Sequence, residues 1–143
     1  MKKIIAAALF ASVFASVANA GTTPDDVQLT ANAYAGIGDV ATDINLARQF
    51  NILAIANRAG VVKNSFEATL SANVIAGIID NADNNRIGVV AGSNKGRVGF
   101  TGSSVGGSVA QCGEPVAKDV TNLAASLVVA DTLDLAEPNG CGL

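Results

Sequence analysis

The sequence predicts a mostly β, single-domain protein that follows a signal peptide. Three observations indicate this fold class. Apolar and polar residues alternate along two similar segments, turn-forming residues divide the second half of the chain into short stretches, and a length of 143 residues suits one core. Because the two alternating segments resemble each other, we expect the domain to contain two related strand units.

The first 20 residues have the pattern of a bacterial signal peptide. Lys2 and Lys3 precede an apolar run, and the run ends in the small-x-small sequence of residues 18–20. The run is shorter than the roughly 20 apolar residues that span a bilayer. We therefore expect cleavage after Ala20 and an exported domain at residues 21–143. No integral membrane segment would remain after processing, and the protein would be extracellular, at the cell surface or periplasmic.

Composition excludes several classes of function. Without Lys2 and Lys3, seven basic residues face twelve acidic ones, which gives a net charge of −5. This charge opposes binding to nucleic acids and to anionic membranes, so no nucleic-acid partner is expected. The chain contains no His, which excludes a Ser-His-Asp arrangement and the commonest zinc sites. No cofactor is expected.

An internal duplication organises the chain. Residues 29–37 and 70–78 share the pattern L-[ST]-A-N-x-x-A-G-I, and the pattern I-G-x-V-A recurs at 37–41 and 87–91. With Phe50 and Phe100 in equivalent places, the repeats extend over about 29–50 and 70–100. Alternation runs in the same phase in both copies, so the same face of each predicted strand is buried. Asn32 and Asn73 then lie on the polar face.

The remaining elements are predicted from turn signals and periodicity. Gly, Asn and Ser clusters separate short strands at 86–91, 97–101 and 108–112, which suits a series of hairpins. Residues 39–59 and 116–136 fit either a helix or a strand. The repeat favours a strand for the first of these segments. For the second, a C-terminal helix and a strand both stay open.

Cys112 and Cys141 are the only cysteines. In an exported protein such a pair predicts a disulfide, here one that holds the C-terminal residues against the domain. The alternative is a pair of reactive or metal-binding thiols. The absence of a C-x-x-C spacing and of His argues against that alternative.

Two groups of acidic and amide residues are candidate sites. Asp80, Asp83 and Asn85 place oxygen ligands in one loop, which is the ligand type that Ca²⁺ prefers, although the same residues also form turns. Three acids near the C-terminus, Asp131, Asp134 and Glu137, are the nearest approach to a catalytic carboxylate pair. A carboxylate-dependent hydrolase is the third hypothesis for function, and we expect no enzymatic activity.

Two stretches carry motifs of a known class of proteins. Residues 84–94 read N-N-R-I-G-V-V-A-G-S-N, and residues 53–57 read L-A-I-A-N. They resemble the N-I-G-V-N-V-A-A-G-x-x-N and L-A-I-A-N stretches of exported bacterial biofilm and surface proteins of the functional-amyloid fibre-subunit type. The resemblance covers about residues 29–100 and implies a β-rich subunit that stacks on copies of itself.

These observations predict a secreted or surface structural component that self-associates, such as a fibre, matrix or adhesin subunit. Asn32 and Asn73 are the expected self-association residues, because amide side chains on a strand face can form ladders between copies. The partner is another copy or another surface protein. The alternative is a small secreted binding module, such as an inhibitor or a carrier of a small apolar ligand.

Overall fold

The computed structural model describes residues 23–38, 45–120 and 122–143. Within these residues, eight strands form two sheets, which confirms the mostly β, single-domain prediction. The strands are β1 (Asp25–Gln28), β2 (Tyr34–Ile37), β3 (Arg48–Leu53), β4 (Phe66–Leu70), β5 (Val74–Asn81), β6 (Arg86–Ser93), β7 (Val98–Ser103) and β8 (Ala110–Cys112). The predicted signal peptide lies outside the described residues.

One sheet has three strands in the order β1-β3-β4, and the other has five in the order β2-β5-β6-β7-β8. The five-stranded sheet is antiparallel throughout, and β5 to β8 form the predicted series of hairpins. The two sheets pack face to face around a core of aliphatic side chains and Phe50. Alternation along β3, where Phe50 and Ile52 are buried, confirms a strand rather than a helix at residues 48–53.

The duplicated segments form two equivalent arches between the sheets. Each segment leaves the three-stranded sheet, at the end of β1 or β4, and enters the five-stranded sheet as β2 or β5. β2 and β5 pair antiparallel with Gly36 opposite Gly77, the same position of the repeat. β1 and β4 flank β3 on opposite sides. The two arches are therefore related by an approximate twofold axis that passes between β2 and β5.

Asn32 and Asn73 do not lie on strand faces, so this part of the prediction was wrong. Both have positive φ angles, 62° and 63°, at the third position of turns closed by bonds from Ala33 N to Thr30 O and from Val74 N to Ser71 O. These are type II turns, which require a left-handed residue at that position, and Asn tolerates it better than most residues. The asparagines are repeated because both arches need the same turn.

The C-terminal segment, residues 113–143, covers the outer face of the five-stranded sheet. Its described residues contain two 3-10 turns, at Leu123–Ala125 and Ala130–Thr132, and one isolated antiparallel bridge between Leu133 and Cys141, so the alternatives of a C-terminal helix and of a strand were both wrong. Two side chains, one of the sheet and one of the turn between β6 and β7, bind its backbone. Tyr34 OH donates to Val128 O at 2.7 Å, and Asn94 Oδ1 accepts from Leu123 N at 3.1 Å.

Glycines allow this segment to lie close to the sheet. Gly88, Gly92 and Gly99 are buried beneath it, in strands where most residues carry larger side chains. A second core forms there, with Ile75 and Val90 of the sheet against the apolar residues Leu123, Leu127 and Val128 of the segment. A disulfide between Cys112 of β8 and Cys141 closes the far end, as the two cysteines predicted.

We expect alanine at Gly92 to destabilise the protein by about 2 kcal/mol, within the usual cost of overpacking a core. A Cβ there would lie 2.8 Å from the backbone oxygen of Val98 and 2.8 Å from Leu123 Cδ1. Gly99 is the matched control, because it pairs directly with Gly92 and a Cβ there meets nothing closer than 3.5 Å. Urea unfolding followed by far-UV circular dichroism should separate the two variants. Equal stability of Gly92→Ala and Gly99→Ala would contradict this account of the packing.

Candidate functional site

The inner face of the five-stranded sheet extends beyond the sheet that covers it. β1 lies against β2 and β4 against β5, so the three-stranded sheet ends over the second strand of its partner. The core between the sheets includes Ile37, Ala76 and Ile78, with Ile87 and Ala91 of β6 at its margin. Among the described residues, none of β7 or β8 belongs to this core.

Past the margin of the core, the same face forms an open apolar groove of about 360 Å³. The groove is lined by Ile87, Val89, Ala91, Phe100, Thr101, Gly102, Ser103, Ser104 and Val109. Val89, Phe100 and Val109 expose 40 %, 43 % and 72 % of their surface. Single exposed apolar residues are ordinary, but a contiguous group of them on one face is a candidate interaction surface.

The apolar groove continues the protein core without interruption. Ile87 and Ala91 pack against the core on one side and line the groove on the other. Both sheets also end beside the groove, the three-stranded sheet at β4 and the five-stranded sheet at β8. The arrangement is that of a sandwich with one layer incomplete. The groove contains no charged side chain, so it suits an apolar occupant and offers no group for acid–base chemistry.

The calcium candidates are engaged in bonds within the protein. Asp80 is fully buried, and its two carboxylate oxygens accept from Val61 N at 2.7 Å and from Val62 N at 2.9 Å. Gly60 leaves room for this carboxylate, since a Cβ there would overlap it. Asp80 therefore holds the loop between β3 and β4 against the end of β5.

The other two candidates lie in the hairpin between β5 and β6. Asp83 Oδ2 accepts from Asn32 Nδ2 at 2.7 Å, which joins this hairpin to the first arch. Asn85 has a φ of 51° and occupies the left-handed position that closes the hairpin. Among the described residues, no group of three or more acidic, Cys or His side chains is placed to hold a metal ion.

The acidic cluster near the C-terminus lies on the surface of the C-terminal segment. Asp131, Asp134 and Glu137 are all exposed. Asp134 Oδ1 accepts from Ala136 N at 2.8 Å, which stabilises a local turn. The cysteines of the disulfide are not free thiols, so the alternative of reactive or metal-binding cysteines was wrong for this structure.

Comparison with known proteins adds no relative. No protein-family model matches the chain, and no curated protein or solved structure matches it. Separately, no helix in the described part of the chain is long and apolar enough to cross a membrane.

Sequence reasoning missed the apolar groove. The alternation of Ile87, Val89 and Ala91 was a sufficient signal for an apolar face, but it predicts burial on that face and not exposure. The structure instead places Asn32 and Asn73 in turns at opposite ends of the sandwich, away from any shared ladder. Their role in self-association stays a prediction.

Proposed function

We propose that this protein is a structural subunit of an assembly outside the cell, and that copies associate through the apolar groove. The observation that carries the proposal is the uncovered face formed by Val89, Phe100 and Val109 beside the free end of the smaller sheet. Burying apolar surface of this kind contributes roughly 25 cal/mol per Å². A monomer does not gain this free energy, because the face stays in contact with water.

Charge does not oppose a second copy at this groove, although it does elsewhere on the molecule. The whole chain has a net charge of −3, so two copies repel each other over most of their surfaces. An uncharged groove is a region where two copies can approach without placing like charges opposite each other. In a dimer with twofold symmetry, a residue near the axis contacts the same residue of the other copy. Val89, Phe100 and Val109 are uncharged, so such contacts bring no like charges together.

Further support comes from the disulfide and from the sequence resemblance. A disulfide between Cys112 and Cys141 suits an oxidising compartment, as the predicted signal peptide does. The motifs at residues 53–57 and 84–94 resemble those of biofilm fibre subunits. In the structure, residues 86–93 form β6, which contributes Ile87, Val89 and Ala91 to the groove.

The test compares aspartate variants inside and outside the groove. We expect Phe100→Asp and Val109→Asp to fold normally, since both side chains are substantially exposed, and to weaken self-association about 30-fold or more. The matched control is Leu46→Asp, which adds the same charge at an apolar residue that is 62 % exposed outside the groove. Sedimentation velocity over a range of concentrations measures association, and far-UV circular dichroism checks the fold.

Two outcomes would overturn the proposal. The wild-type chain could remain monomeric at every concentration, in which case a monomeric binding module becomes the better explanation of the groove. Alternatively, all three aspartate variants could associate as the wild type does, which would place the contact elsewhere on the molecule.

A further inference from the structure

A second, polar groove lies at the opposite face of the five-stranded sheet, near the hairpin between β5 and β6. It has a volume of about 370 Å³ and is bounded by the first arch, this hairpin and the C-terminal segment. Its polar lining includes Asn81, Asn84, Arg86 and Asp134, and its aliphatic lining includes Leu133 and Leu135. This volume is in the range of small-molecule sites.

Three of these polar side chains, those of Asn81, Arg86 and Asp134, are held in place by bonds that leave other donors and acceptors unused. Arg86 Nη1 donates to Leu135 O at 2.9 Å, and Asp134 Oδ1 accepts from Ala136 N at 2.8 Å. Asn81 Oδ1 accepts from Asn84 N at 2.9 Å. Within the described part of the chain, these bonds leave the Asn81 amide nitrogen, Arg86 Nε and Nη2, and Asp134 Oδ2 without a protein partner. Such fixed groups bind a ligand with little further loss of conformational freedom.

We propose that this groove binds a neutral saccharide. The unused groups include both donors and acceptors, and the charges of Arg86 and Asp134 oppose each other. A ligand that matches them offers closely spaced donors and acceptors and carries no net charge, as the adjacent hydroxyl groups of a sugar do. The aliphatic side chains of Leu133 and Leu135 can contact the C–H groups of a sugar ring.

Other ligand classes fit the groove less well. An anion would meet the carboxylate of Asp134, and a cation would meet the guanidinium of Arg86. An extended peptide gains affinity mainly by pairing with a free strand edge. Here Asn81 of β5 and Arg86 of β6 already pair with each other, so neither residue offers a free strand edge to a peptide. The proposal is independent of self-association, because the apolar groove lies on the other face of the sheet.

The experiment is saturation-transfer difference NMR on the whole exported chain. The probes are the methyl glycosides of glucose, galactose, mannose and N-acetylglucosamine, with glucuronate as an anionic probe and an acetylated triglycine amide as a peptide probe. We expect transfer to at least one neutral glycoside. We expect Asn84→Ala to weaken that binding about fivefold, as the loss of one hydrogen bond would. The Asn84 side chain makes no bond within the described residues, so this variant should keep its fold.

Two controls make the result specific. Asn45→Ala removes an exposed asparagine outside the groove, and Val109→Asp alters the apolar groove; both should bind the glycoside as the wild type does. The proposal fails if no glycoside shows transfer, if Asn84→Ala leaves binding unchanged, or if glucuronate or the peptide binds more strongly than every neutral glycoside. Failure here would leave the sedimentation result unaffected, so the two proposals are tested separately.

Discussion

Replacing Leu29 with aspartate should unfold most of the protein under conditions in which the wild type is folded. Leu29 is 2 % exposed and belongs to the core between the two sheets. A carboxylate there has no described cationic partner, and burial of an unpaired charge is among the most destabilising substitutions, at about 4 kcal/mol or more. Small domains have a free energy of unfolding of only about 5–15 kcal/mol. The variant would therefore be close to or beyond the limit of stability.

Two further variants make this prediction specific. Leu70 occupies the equivalent place in the second arch but is only half-buried, so Leu70→Asp should cost about 1 kcal/mol, near the centre of measured substitutions. Thr30→Asp adds the same charge one residue after Leu29, at the exposed first position of a turn, where the carboxylate stays in water. Urea unfolding followed by far-UV circular dichroism measures all three. Similar midpoints for Leu29→Asp and Thr30→Asp would show that Leu29 is not part of the core.

Much of the fold could be predicted because its signals are local. The alternation of Phe50 and Ile52 marks β3, and clusters of Gly and Asn mark the hairpins, since each depends on only a few neighbouring residues. The turns at Asn32 and Asn73 were missed for a specific reason. The apolar alternation has the same phase on both sides of each turn, so the arch looks like one long strand. The left-handed preference of Asn was the signal that could have divided it.

The candidate site depends on how far one sheet covers the other, which no local pattern contains. Phe50 and Phe100 illustrate the difference. They occupy equivalent positions in the duplicated sequence, yet Phe50 is 4 % exposed and Phe100 is 43 % exposed. Phe50 lies in the small sheet and faces the large one, whereas Phe100 lies in β7, past the end of the small sheet. Phe100 is exposed because the opposite sheet has only three strands and does not reach β7.

The role of Arg48 could not be predicted from a local sequence pattern either. It lies on β3, on the same face as the buried residues Phe50 and Ile52, where a sequence pattern predicts an apolar side chain. Its guanidinium donates to the carbonyl oxygens of Gly38 at 2.8 Å and of Val74 at 2.5 Å, so it connects the end of one arch to the start of strand β5. These carbonyls are brought together only by the tertiary fold.

Removal of the disulfide should release the C-terminal segment while the two sheets remain folded. Cys112 and Cys141 are 29 residues apart, and closing a loop of that length stabilises by about 3.6 kcal/mol on the chain-entropy model. Among its described residues the segment has one isolated antiparallel bridge, between Leu133 and Cys141, and it packs on the sheet through the small second core. It therefore depends on the covalent link more than the hydrogen-bonded strands do, and Cys112→Ala with Cys141→Ala should lower the free energy of unfolding by about that amount.

Tyr34 reports this release directly. It is the only tyrosine in the chain, there is no tryptophan, and its hydroxyl donates to Val128 of the segment at 2.7 Å. The near-UV circular dichroism of tyrosine should therefore be lost in the double alanine variant, while the far-UV signal of the sheets is retained. A thiol reductant should have the same effect on the wild type and none on the variant, which controls for effects of the reductant itself. If the near-UV signal of the variant stays at the wild-type level, the segment is held by its contacts with the sheet and not by the disulfide.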